Sequence, residues 1–79
     1  MKPKKLLFDK IKLVCKKILK KKVNIKSKIY DFKEWDSFAN FNILLHCEKV
    51  FKIKFSANEF SKINNIKEIY SIIEKKNNK

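Results

Sequence analysis

The sequence predicts an all-α fold, a four-helix bundle with a long connection between the first and second helices and a short third helix. Apolar residues recur at three- and four-residue spacing in successive segments, polar or lysine-rich junctions separate those segments, and no glycine, internal repeat or low-complexity block interrupts them. A chain of 79 residues supports one domain with one modest core, and that size disfavours an enzyme with an enclosed substrate pocket. An apolar fraction of 44% with 13% aromatics is more than a disordered tail carries, so the chain is expected to fold despite its charge.

The first helix is expected from Lys5 to about Lys20, where Leu7, Ile11, Val14 and Ile18 form a stripe that Phe8 and Cys15 widen, with lysines on the other face. From Lys21 to Trp35 the apolar residues Val23, Ile25, Ile29, Tyr30 and Phe32 lose that period and read as a long ordered connection laid over the core. The second helix follows Ser37, and its expected apolar positions are Phe38, Phe41, Leu44, Leu45 and Phe51. Lys52 to Phe55 alternates as a short extended link. Ser56 then caps a brief third helix over Ala57–Ile63, with Glu59 where a capping box requires it. After a turn at Asn64 and Asn65, Ile66, Ile69, Tyr70 and Ile73 define a fourth helix to Lys75, and residues 76–79 read as a frayed tail.

The formal charge of +13 points on its own to nucleic acid or an anionic membrane surface. Its distribution is uneven. Residues 1–30 hold 12 lysines against Asp9, a net +11, while residues 31–60 have a net −1 and residues 61–79 a net +3. Every basic side chain is lysine, which removes the residue best suited to bidentate recognition of bases and phosphates. Abundant lysine, isoleucine and asparagine with no glycine is also what an AT-rich genome produces with little selection on charge. No apolar run approaches the roughly 18 residues of a membrane span, and charges break up the N-terminal apolar stretches, so a soluble cytoplasmic protein is expected. Cys15 and Cys47 lack metal-ligand spacing, fall on apolar helix faces and read as buried free thiols. His46 is solitary, with no serine in a base-accepting arrangement, and no paired-carboxylate, glycine-rich phosphate or zinc motif is present.

Ser37 is the residue that stands out, a hydroxyl preceded by Asp36 at a helix start after a long loop. By itself the Asp-Ser pair means no more than an N-cap. Its surroundings say more. The run EWDSFANFNILLHCEKVFKIKFSANEFSKINNIKEIYSII resembles the core of acyl carrier proteins. Asp36, Ser37 and Phe38 match the family's Asp-Ser-Leu, Glu48 and Phe51 the end of its second helix, Ile53 and Phe55 the link after it, and Glu59, Ile63, Ile66, Ile69 and Ile73 continue the register. The resemblance covers residues 34–75.

What it implies is a monomeric carrier of acyl-carrier type. A phosphopantetheinyl transferase would place 4'-phosphopantetheine on Ser37, with Asp36 as the acid the transferase recognises. The arm's thiol would then hold cargo as a thioester for acyl-loading and acyl-transferring enzymes. Leu44, Leu45, Ile63 and Ile73 would in family terms line a space for a fatty chain, and otherwise simply pack the core. The chain departs from the family where Phe38 replaces leucine, and where Ala39 and Asn42 stand at positions that often carry acids for docking. Trp35 before the acid resembles a stand-alone branch that serves specialised pathways, so amino-acyl, hydroxyacyl or saccharide-linked cargo stands beside fatty acids. Two other readings remain from the residues. One is a lysine-rich helical module that binds nucleic acid or an anionic membrane through helix one, where Lys16, Lys17, Lys20, Lys21 and Lys22 cluster. The other is a carrier fold that serves as an interaction domain without the arm.

Overall fold

A computed structural model describes residues 4–77. It contains four helices, α1 (Lys5–Leu19), α2 (Ser37–Phe51), α3 (Ala57–Lys62) and α4 (Ile66–Asn77). No strand occurs among the described residues, only an isolated antiparallel bridge between Lys28 and Asn65. Helices α1, α2 and α4 pack against one another, and α3 lies outside that trio with none of its residues buried.

The inner face of α1 presents Ile11, Val14, Cys15 and Leu19, with Leu7, Phe8 and Ile18 at its margins. The helix ends on Lys20, which takes the left-handed conformation at φ 60° and returns its N–H to the Lys16 carbonyl. Glycine normally fills that role, and here a lysine accepts the strain. At the other end no side chain caps α1; instead the Lys4 N–H donates to the Tyr70 hydroxyl at 2.7 Å, tying the start of α1 to α4.

The segment 20–36 has no helix but is stitched across its middle. Ser27 and Asn24 close a local turn through two hydrogen bonds, the Ile66 N–H donates to the Ser27 carbonyl, and the Ile29 N–H donates to the Asn64 carbonyl. These bonds pin the connection to the α3–α4 junction, while Val23 and Trp35 enter the core.

The second helix keeps part of the expected face: Leu44 and Phe51 are buried as expected, and Leu45 is half-buried. Phe38 and Phe41 do not face the core; they are 74% and 47% exposed. The buried stripe is Asn40, Ile43, Leu44, Cys47 and Phe51, with Ala39 beside it. The apolar pattern misleads because an asparagine occupies an inner position. Its carboxamide is fully used: Oδ1 accepts from the Trp35 indole N–H at 3.0 Å and Nδ2 donates to the Ile63 carbonyl at 2.8 Å. A buried amide with both ends paired is tolerated where an unpaired one is not.

At the far end of α2, Lys52 again closes the helix at φ 56°. Glu48 organises the link to α3: its carbonyl accepts from Ile53 N–H and its carboxylate from Phe55 N–H at 2.8 Å. The capping box of α3 forms as the sequence predicts, with Ser56 and Glu59 exchanging side-chain and backbone bonds at 3.1 and 2.8 Å. The helix α4 extends two residues past its expected end at Lys75, to Asn77, and Lys76 pairs with Glu59 at 3.1 Å and lies over the Phe55 ring. Residues 78–79 of the expected frayed tail lie outside the described residues. The two cysteines are buried free thiols, and burial pushes both up to about 12, so neither is a nucleophile at neutral pH.

In urea unfolding, Asn40→Ala leaves a buried donor and a buried acceptor without partners and lowers stability by about 2–4 kcal/mol, whereas Phe38→Ser stays within about 0.5 kcal/mol of the wild type. Equal midpoints for the two variants would contradict the assigned inner face. The Ser56 backbone N–H, followed by the Lys76 ammonium, holds the Glu59 carboxyl below its usual range. A lowered native value means that its stabilisation is present above the unfolded-state pKa of roughly 4.3 and is lost as pH falls through the native value. Glu59→Gln therefore reduces the loss of stability between neutral and acid pH, measured by melting temperature against pH.

Candidate functional site

Asp36 and Ser37 sit where the stitched connection turns into α2. Asp36, in extended conformation at φ −98°, is the N-cap: its Oδ1 accepts from the Ala39 N–H at 2.9 Å and its carbonyl accepts from Asn40 N–H. Ser37 is therefore the first residue within the helix and not its cap, which corrects the simpler reading of this serine. The hydroxyl is left without a capping task. Both residues are exposed, so the second oxygen of Asp36 and the Ser37 Oγ are within reach of a partner.

The neighbour of Ser37 is Tyr30, whose hydroxyl lies 2.9 Å from Ser37 Oγ. Tyr30 is a non-glycine residue at φ 70°, an unusual pose for a large side chain. It persists because the loop around it is closed by hydrogen bonds, from Tyr30 N–H to the Trp35 carbonyl at 2.8 Å and from Trp35 N–H to the Phe32 carbonyl at 3.0 Å. The buried Trp35 indole anchors that loop through Asn40. Sequence reading missed this arrangement. No local signal marks a tyrosine for positive φ, and Asn40 reads as an interruption of an apolar helix.

Beside Ser37 opens a groove of about 330 Å³ between α2 and α3. Ile29, Tyr30, Phe41, Phe60 and Ile63 supply its apolar lining, and Ser37, Asn40, Ser61 and Asn64 its polar edge. Phe41 and Phe60 pack with ring centroids 5.0 Å apart, which explains why these aromatics are only partly withdrawn from solvent: they cover each other across the groove. Of the residues considered for lining a space for cargo, Leu44 and Ile73 are fully buried in the core, Leu45 is half-buried away from this groove, and only Ile63 borders it.

The chemistry available to the Ser37 hydroxyl is limited by its surroundings. Its polar contact is a phenol, not a base. His46 lies nine residues further along α2, about 13 Å along the axis, with Nδ1 3.2 Å from the Asn42 carbonyl of its own helix. No group of three metal-ligating side chains occurs among the described residues. The Ser37 hydroxyl stands exposed on the first turn of α2, with no capping bond to make. An anionic substituent there would sit at the positive end of the α2 dipole, beside N–H groups of the first turn.

The capping assignment separates the two residues by stability. Asp36→Ala removes the cap and costs about 0.5–2 kcal/mol, while Ser37→Ala stays within about 0.5 kcal/mol of the wild type. Chemical unfolding of both variants measures the difference, and a larger loss for Ser37→Ala would reverse the roles. No family model, curated protein or solved structure matches this chain.

Proposed function

We propose that this chain is a carrier protein that holds its cargo as a thioester on a phosphopantetheine arm attached to Ser37. The observation that carries the reading is the placement of an exposed Ser37 hydroxyl on the first turn of α2, freed from capping by Asp36, at the edge of an apolar groove. A separate transferase forms the bond from Ser37 Oγ to the pantetheine-side phosphorus of coenzyme A as the pyrophosphate P–O bond breaks; adenosine 3',5'-bisphosphate leaves with the electron pair of that bond, and a base of the transferase takes the serine proton. The hydrogen bond between Tyr30 and Ser37 opens for this step.

The residues present suit such an arm. The phosphodiester would occupy the positive end of α2, and a hydroxyl with no base of its own stays inert until a transferase engages it. The arm supplies a thiol whose acyl ester stays activated for transfer, and its flexibility raises the effective concentration of cargo at partner enzymes. Asp36 is the acid next to Ser37 that a transferase meets first. Partners would then meet the exposed rings of Phe38 and Phe41, because Ala39 is buried and Asn42 carries no charge. This surface is more apolar than the acid-rich helix of many carriers, and it suits specialised loading enzymes in lipid or secondary metabolite biosynthesis.

Intact-protein mass spectrometry after incubation with coenzyme A and a broad-specificity phosphopantetheinyl transferase tests the proposal. The wild type gains the mass of one arm, Tyr30→Phe gains it at no lower rate, and Ser37→Ala gains nothing. A folded wild type that takes no arm, or a Ser37→Ala protein that does, overturns it.

A further inference from the structure

The face of α1 turned away from the core carries a second surface. Leu6, Lys10, Leu13 and Lys17 follow one another at four-, three- and four-residue steps, which places them on a single stripe opposite Ile11, Cys15 and Leu19. Leu6 is 71% exposed and Leu13 68%, although nothing in the helical pattern requires leucine there. Isolated exposed leucines are common, but two on one line with exposed lysines between and beyond them form a continuous feature. Lys16 borders this stripe, and Lys20, Lys21 and Lys22, also exposed, extend it past the end of the helix.

Next to Leu13 lies an open hollow of about 450 Å³ bounded by Asp9, Lys12, Leu13, Lys16, Lys22 and Val23. Three ammonium groups surround an apolar floor. Asp9 opposes them and is engaged by Lys12 at 3.7 Å, leaving Lys16 and Lys22 to dominate the rim. Asp9 is also the only acid among residues 1–30, where the net charge is +11. Such a surface complements an extended sheet of negative charge into which short apolar side chains can sink.

We infer that α1 docks this chain on an anionic lipid bilayer, with Leu6 and Leu13 entering the boundary between headgroups and acyl chains. Lys10, Lys16, Lys17 and Lys20–Lys22 face the anionic headgroups, and the hollow beside Leu13 receives one of them. The main apolar face of α1 is buried in the protein, so insertion is shallow, reversible and led by charge. Each lysine at the surface strengthens the partition by about fivefold. Nucleic acid fits the same face less well. It has no arginine and no exposed aromatic ring on which a base could stack, since Phe8 is partly buried beneath Lys12 and the exposed Tyr30, Phe38 and Phe41 gather around Ser37. Docking of this kind is independent of whether Ser37 carries an arm.

Co-sedimentation of the full chain with vesicles of phosphatidylcholine containing phosphatidylserine, against phosphatidylcholine alone, tests it. The chain binds the anionic vesicles, binding falls steeply with salt, and neutral vesicles retain none. Lys10→Gln with Lys17→Gln weakens the partition by about 25-fold, and Leu6→Ser with Leu13→Ser by at least about tenfold, with unchanged circular dichroism melting in both cases. Absence of binding to the anionic vesicles, or binding indifferent to the leucine changes, overturns the inference. Tighter binding to duplex DNA than to vesicles, unaffected by the leucine pair, reassigns the face to nucleic acid.

Discussion

The carboxamide of Asn40 holds together three parts of the chain that local structure leaves independent. One end receives the indole N–H of Trp35, the last core residue of the long connection, and the other donates to the carbonyl of Ile63, where α3 ends. With both bonds made, the connection, α2 and α3 share one origin. Asp36 and Ser37 lie between Trp35 and Asn40 in sequence, so this pairing sets where the cap of α2 forms and where the serine hydroxyl emerges. Polar satisfaction inside a small apolar core acts here as a registration device: an amide that needs two partners accepts one geometry, while an aliphatic residue in its place would accept several.

The lack of glycine places the backbone strain on larger residues. Among the described residues three with positive φ, Lys20, Tyr30 and Lys52, are L-amino acids with full side chains, and each conformation costs about 1 kcal/mol against its preferred region. Two of them end helices, where the bond from the capping N–H to the carbonyl four residues back offsets the strain. The third ends nothing. Tyr30 adopts its pose inside a loop closed by Trp35 and places its phenol against Ser37 Oγ, so the strained residue and the candidate site coincide.

Charge and apolar exposure divide the molecule into two surfaces of different character. Around Ser37 the chain is close to neutral and presents aromatic rings. Along α1 it is strongly cationic, and the exposed apolar residues are leucines. The lysines of the last turn of α1 also complement the helix dipole, so the same residues serve stability and surface character together.

Much of this is written locally. The four helices, the capping box of Ser56 and Glu59, the buried thiols, and Asp36 and Ser37 at a helix start are all legible because helical period and end-capping depend on residues three or four apart. The misplaced part of the α2 face has the opposite origin. Phe38 and Phe41 look like core by their chemistry, and Asn40 looks like surface, until Trp35 and Ile63, 5 and 23 residues away, satisfy the asparagine. The same holds for the end of α4, which reads as a polar tail but continues as helix to Asn77, with Lys76 paired to Glu59 from α3. Local spacing therefore determines that a segment is helical and where it begins. Only the assembled packing decides which side turns inward, which oxygen of the Asp-Ser pair caps and which is left free, because burial of a polar group is decided by partners that sequence neighbours do not supply.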